Sequence, residues 1–223
     1  MTNKITSVEK MLILSISFTM ALLAIRIWRT AELTYIFYTW NLFLAIIPFL
    51  LSRRLESQAR LGFASMLLIA GWLLFFPNAP YIIIDLFHYK ERPPIPKWFD
   101  LLLVTSAAWN GLLLGIASLM QVENFLAKHI KAVWVRVAVF SSMVLCGYGI
   151  YIGRFLRFNS WNIVTKPSIL VHASAQHIMQ PQEHLKTWGF TFLFALMFGL
   201  IYFTLKELPR LVKRGNSNFL LAE

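Results

Sequence analysis

Apolar runs of roughly 20 residues recur along this chain, and that is the length an α-helix needs to cross the hydrocarbon core of a bilayer. Six windows reach or approach it: about 11–28, 33–51, 61–76, 98–120, 132–152 and 188–205. Lipid offers a backbone no hydrogen-bond partner, so a continuous apolar run of this kind satisfies its own N–H and C=O groups as a helix. The predicted fold is all-α, a polytopic transmembrane helix bundle of about six spans that forms a single integral membrane domain over residues 1–223. The third window is short and runs into Pro77-Asn78-Ala79-Pro80. Proline lacks an N–H and pushes the preceding residue out of helical geometry, so a proline-broken or interfacial segment is expected after span three.

Composition agrees with a lipid solvent. Charged residues make up 14% of the chain, against roughly a quarter in soluble domains. The net charge of +11 would suggest nucleic acid in a soluble protein, but these cations sit in short clusters between apolar runs. Membrane proteins use that arrangement to set orientation and to meet anionic headgroups, so membrane lipid is the expected partner and nucleic acid is not. The single cysteine, Cys146, lies inside an apolar run, which excludes an intrachain disulfide, a CxxC motif and a cysteine zinc site. His172, His177 and His184 are spaced five and seven apart, matching no helix-borne metal motif, and no metal site or cofactor is assigned. Lys4 and Lys10 before an apolar stretch resemble a signal peptide, yet Ala24-Ile25-Arg26-Ile27-Trp28-Arg29 has no cleavage pattern, so a retained first span is expected.

With six spans the termini share a face. Lys and Arg then divide eleven on the side of the termini against nine on the other, a weak bias toward cytoplasmic termini. The connections on the opposite face carry most of the polar candidates. Residues 85–97 include Glu91-Arg92-Pro93-Pro94-Ile95-Pro96-Lys97, expected as an extended crossing, and residues 153–187 form the longest loop.

Two groups of residues on that face could carry chemistry. Asn78 is a good N-cap for a helix restarting after the break. On such a helix Tyr81, Asp85 and His88 fall at i, i+4 and i+7, one face. A carboxylate beside an imidazole suits acid–base work near neutral pH, so Asp85 and His88 are the candidate catalytic pair, with a structural hydrogen bond as the plainer reading. Arg154 and Arg157 are three apart, and two guanidinium forks can grip a phosphate or carboxylate. With Asn78, Tyr81, Asn159 and Trp161 they form the candidate ligand-binding set; plain snorkelling at a helix end is the alternative. Within the spans, Asn41 and Asn110 are expected to hydrogen-bond neighbouring helices. Gly111–Gly115 and Gly149–Gly153 are GxxxG pairs suited to close helix contacts, inside the bundle or with a second copy or another membrane protein. No Asp, Glu or Lys lies near the middle of a span, which disfavours an ion-coupled carrier.

The segment Trp72-Leu-Leu-Phe-Phe-Pro-Asn-Ala-Pro-Tyr-Ile-Ile-Ile-Asp-Leu-Phe-His88, the Trp109-Asn110-Gly111 segment with Gly115, Ser118 and Leu119, and Gly153-Arg-Phe-Leu-Arg-Phe-Asn-Ser-Trp161 resemble the DUF1361 family. That resemblance covers nearly the whole chain and implies a small prokaryotic multi-pass protein of the cell membrane; it supplies no activity. Asn162 stands where some relatives are expected to carry an acidic residue. The expected function is binding of an anionic ligand such as a lipid headgroup at one membrane face, with acid–base chemistry there left open. The alternatives are a small permease or transporter-accessory subunit, and a structural or partner-binding membrane protein.

Overall fold

The computed structural model describes residues 5–90, 92–158, 165 and 167–220, and at His88 and 210–220 the backbone alone. All described elements are helical: α1 Ser7–Thr30, α2 Phe37–Glu56, α3 Phe63–Phe75, α4 Asn78–Tyr81, a 3₁₀ helix Ile82–His88, α5 Lys97–Ala127, α6 Ala132–Phe155, α7 Pro167–Met179 and α8 Leu185–Leu220. Among the described residues five stretches are long and apolar enough to cross a membrane: Ser7–Thr30, Phe63–Phe87, Lys97–Ala127, Ala132–Phe155 and Leu185–Pro209. The molecule is a membrane-embedded helical bundle. α2 has 20 residues but carries Asn41 early and Arg53 and Arg54 late, which lowers its apolarity. The chain contacts divide into two compact units, Met1–Val135 and Arg136–Glu223.

In the first unit the pairings fix the directions of the helices. Arg26 meets Asp100 and Thr19 meets Ser106 and Asn110, so α1 runs antiparallel to α5. Glu9 at the start of α1 pairs with Arg53 at the end of α2 at 2.8 Å, so α1 and α2 are antiparallel. Trp72 donates to Ser118, while Gly111 packs on Ala79 and Ile82, so the α3–α4 segment descends along α5 in the reverse sense. Four helical segments thus alternate in direction. One end of the unit holds Arg26, Tyr35, Lys90 and Asp100; the other holds Glu9, Arg53, the 57–62 turn and the 128–131 turn.

Local chemistry sets the helix limits. α1 opens with a capping box, in which the Thr6 hydroxyl accepts from the Glu9 N–H and the Glu9 carboxylate accepts from the Thr6 N–H. It closes at Ala31 in the left-handed conformation (φ 54°) with its N–H on the Ile27 carbonyl. The proline break is present, as α3 stops at Phe75 and α4 starts at Asn78. Its geometry differs from the expectation in one respect. Phe76 and Pro77 stay in right-handed helical conformation, so the chain bends and tightens into a 3₁₀ turn without leaving the helical path. Two missing proline N–H groups loosen the ladder there, and the preceding-residue restriction is overridden by packing. The expected extended crossing before α5 is also corrected: Ile95 N–H bonds to the Arg92 carbonyl at 3.2 Å, closing a tight turn.

The second unit is a helical hairpin with α7 beside it. Phe140 meets Phe203, Met143 meets Gly199, Gly147 meets Thr191 and Tyr148 stacks on Trp188, so α6 and α8 are antiparallel. Cys146 is buried in this contact and reduced.

Candidate polar site at one end of the first unit

Charged groups are costly in a membrane core, so their burial marks where to look. Arg26, Asp100 and Asp85 are 1%, 1% and 2% exposed. Arg26 lies one turn inside the end of α1 and Asp100 one turn inside the start of α5. Arg26 Nε donates to Asp100 Oδ1 at 2.8 Å and Nη2 to Oδ2 at 3.4 Å. Each charge therefore neutralises the other across two helices, and the guanidinium rests 4.7 Å from the Tyr35 ring centre. The Arg92 guanidinium approaches the same ring at 5.9 Å, and the Tyr35 hydroxyl donates to the Lys90 carbonyl at 3.4 Å. Arg26 Nη1 is buried and has no hydrogen-bond partner among the described residues.

Tyr38 links this pair to Asp85. Its ring centre is 6.0 Å from that of Tyr35, and its hydroxyl donates to the Asp85 carbonyl at 3.3 Å. Asn41 Nδ2 donates to the Asp85 carboxylate, so Asn41 serves a neighbouring helix as expected. Deeper along α5 the polar groups continue to bond one another. Asn110 Nδ2 reaches the Thr19 hydroxyl at 2.8 Å and the Ser15 carbonyl at 3.2 Å, and Ser52 donates to Gln121 at 2.7 Å. Such pairs hold helices together where lipid offers no competing partner. At the Arg26 end a cavity of about 440 Å³ opens between the end of α1 and the proline turn, with Trp28, Arg29, Ile25, Ile95 and Phe99 on its walls.

The predicted site residues are distributed as follows. Asn78 is not an N-cap: it is the first residue of α4, and its side-chain amide donates back to the Phe75 carbonyl at 2.9 Å, closing the end of α3. The N–H groups an N-cap would serve are already engaged, Ala79's by the Phe76 carbonyl and Tyr81's by the Pro77 carbonyl. Tyr81 is half-buried on α4 and Asp85 is buried on the 3₁₀ helix. His88 follows one 3₁₀ turn later, and its side chain lies outside the described residues. Arg154 and Arg157 belong to the second unit, where Arg154 is in the last turn of α6 and Arg157 is exposed in left-handed backbone (φ 57°). Asn159, Trp161 and Asn162 lie outside the described residues.

In the second unit His177 on α7 is buried, unlike His172, which stays exposed and pairs with Gln176. His177 Nδ1 and the Tyr148 hydroxyl share a hydrogen bond of 2.9 Å, Trp188 Nε1 donates to the His177 carbonyl at 2.9 Å, and the His184 ring stands 4.5 Å away. Burial, then the neighbouring His184, holds the His177 pKa below the ordinary histidine range. Among the described residues no group of three or more His, Cys, Asp or Glu side chains could hold a metal ion.

Sequence reasoning missed Arg26, Tyr35, Tyr38 and Asp100. The only available signal was that Arg26 and Asp100 each sit just inside the edge of their apolar windows, about 11–28 and 98–120, rather than beyond it.

The family model described as protein of unknown function (DUF1361) matches residues 40–201. Neither a curated protein nor a solved structure matches the chain.

Proposed function

The chain belongs to the DUF1361 family, whose description assigns no activity, and from that premise we propose that it binds an anionic ligand, most simply a phospholipid headgroup, at the membrane face formed by the Arg26 end. The observation that carries this reading is the cavity of about 440 Å³ beside the buried cluster, with Arg29 and Trp28 at its rim and Ile25, Ile95 and Phe99 on its walls. A guanidinium answers a phosphate and the apolar wall answers the start of an acyl chain. Asn78 and Tyr81 are the first unit's remaining ligand-binding candidates, and in the second half of the chain Arg154 and Arg157, with Asn159 and Trp161, are a further candidate set for the same class of anionic ligand. Asp85 and His88 are its acid–base candidates should the ligand be transformed. The alternation of helix directions in the first unit favours α2 as a sixth span; six spans would put both termini on one side, and the eleven-to-nine Lys and Arg count supports reading that side as cytoplasmic in a cell membrane. The ladder of polar pairs along α5 is the one feature that favours a permease instead. Its groups bond one another, which suits helix association better than a path.

Native mass spectrometry of the purified chain tests the proposal through the lipids it retains. Retention of anionic phospholipid by the wild type and its loss from both Trp28→Ala/Arg29→Ala and Arg154→Ala/Arg157→Ala is the expected result. Identical retention in all three removes the proposal.

A further inference from the structure

The opposite end of the first unit carries a second constellation. The turn between α5 and α6 connects two stretches of membrane-crossing length, Lys97–Ala127 and Ala132–Phe155, so it lies at the bilayer surface. There Lys128, His129, Lys131 and Trp134 line a concavity of about 590 Å³. Both lysines are exposed, and neither has a carboxylate partner among the described residues. His129 fixes the floor. Its Nδ1 faces the Phe125 carbonyl at 2.8 Å and its Nε2 the Ala59 carbonyl at 3.3 Å, which ties this turn to the one between α2 and α3. The concavity holds the two ammonium groups of Lys128 and Lys131 around this fixed ring. Trp134 is 62% exposed and Val133 58%, presenting apolar surface directly beside them. Tryptophan at this level is amphipathic, with a ring among lipid tails and an N–H among headgroups.

We infer that the α5–α6 turn is a binding site for an anionic phospholipid, with Lys128 and Lys131 around its phosphate on a turn fixed by His129, and Trp134 and Val133 against the upper part of its chains. Free phosphate shares the headgroup chemistry but cannot use the apolar half of this surface. The site lies at the other end of the unit from the cavity at Arg29, so either proposal can fail without the other.

The full chain in phosphatidylcholine nanodiscs containing a minority of phosphatidylglycerol tests this. Bound phosphatidylglycerol is counted by native mass spectrometry in the wild type, in Lys128→Gln/Lys131→Gln, and in Lys10→Gln/Arg54→Gln, which removes the same charge from the same end. The first pair is expected to reduce retained phosphatidylglycerol about tenfold or more, and the second to leave it unchanged, with inorganic phosphate failing to displace it. Equal loss from both pairs means diffuse attraction and overturns the site, as does unchanged retention in the first pair. Displacement by phosphate overturns the lipid as its occupant. All four residues are surface cations, and matched thermal unfolding of the variants confirms that binding alone is being read.

Discussion

Arg26 and Asp100 are where a residue-scale reading of this molecule changes most. As letters they flank apolar windows, one closing the first and one opening the fourth, and flanking charges ordinarily snorkel to the headgroups. In the fold each is 1% exposed and bonded to the other. The pairing joins residues 74 apart in sequence and depends on α1 lying against α5, which no local pattern encodes. Removing one partner leaves a buried charge alone. Arg26→Met or Asp100→Leu is therefore expected to destabilise the protein by about 3–5 kcal/mol, while the double change Arg26→Met/Asp100→Leu recovers most of that loss. A double-mutant cycle on reversible unfolding in mixed micelles measures it. Additive losses would show that the two side chains act independently. Asp85 was legible from its place after the proline break, but its partners Asn41 and Tyr38 were not, because they come from a helix 44 and 47 residues earlier.

At the scale of elements, the apolar windows and their order were readable because a bilayer imposes length and apolarity directly on sequence. The irregular element was only half readable. Two prolines announced an interruption after Phe75, yet neighbours decide whether the chain turns away or merely bends, and here Ala79 and Ile82 are held against Gly111 of α5. The GxxxG at Gly111 does serve a close contact inside the bundle, since a Cβ there would collide with the Ala79 carbonyl and the Ile82 side chain. On α6 a tight approach falls at Gly147, two positions before the Gly149–Gly153 pair, where a Cβ would come within 2.5 Å of the Thr191 carbonyl. A glycine pair marks a helix as able to pack closely without saying which turn meets the partner. Gly111→Ala and Gly147→Ala are each expected to cost about 1–3 kcal/mol through overpacking. Gly189→Ala, with open space around its Cβ, should be neutral or raise stability by up to about 1 kcal/mol as a helix former replaces glycine. Thermal unfolding of the three variants in one detergent compares them; equal effects would contradict the packing described.

At the scale of the whole molecule, the first unit has two chemically distinct ends. One carries the Arg26–Asp100 pair, Asp85 and the cavity at Arg29; the other carries the Glu9–Arg53 pair and the basic turn at Lys128 and Lys131. That division needs α2 to cross the membrane as its neighbours do, although it is not among the stretches that qualify as spans by length and apolarity alone. The direct measurement is labelling with a membrane-impermeant maleimide in sealed vesicles, using Glu32→Cys before α2 and Ala59→Cys after it on a Cys146→Ala background. One label is expected to enter from outside and the other only after the vesicles are opened, with position 59 on the cytoplasmic side. Both positions reacting from the same side would mean that α2 does not cross, and the separation of the two ends onto opposite membrane faces would be wrong.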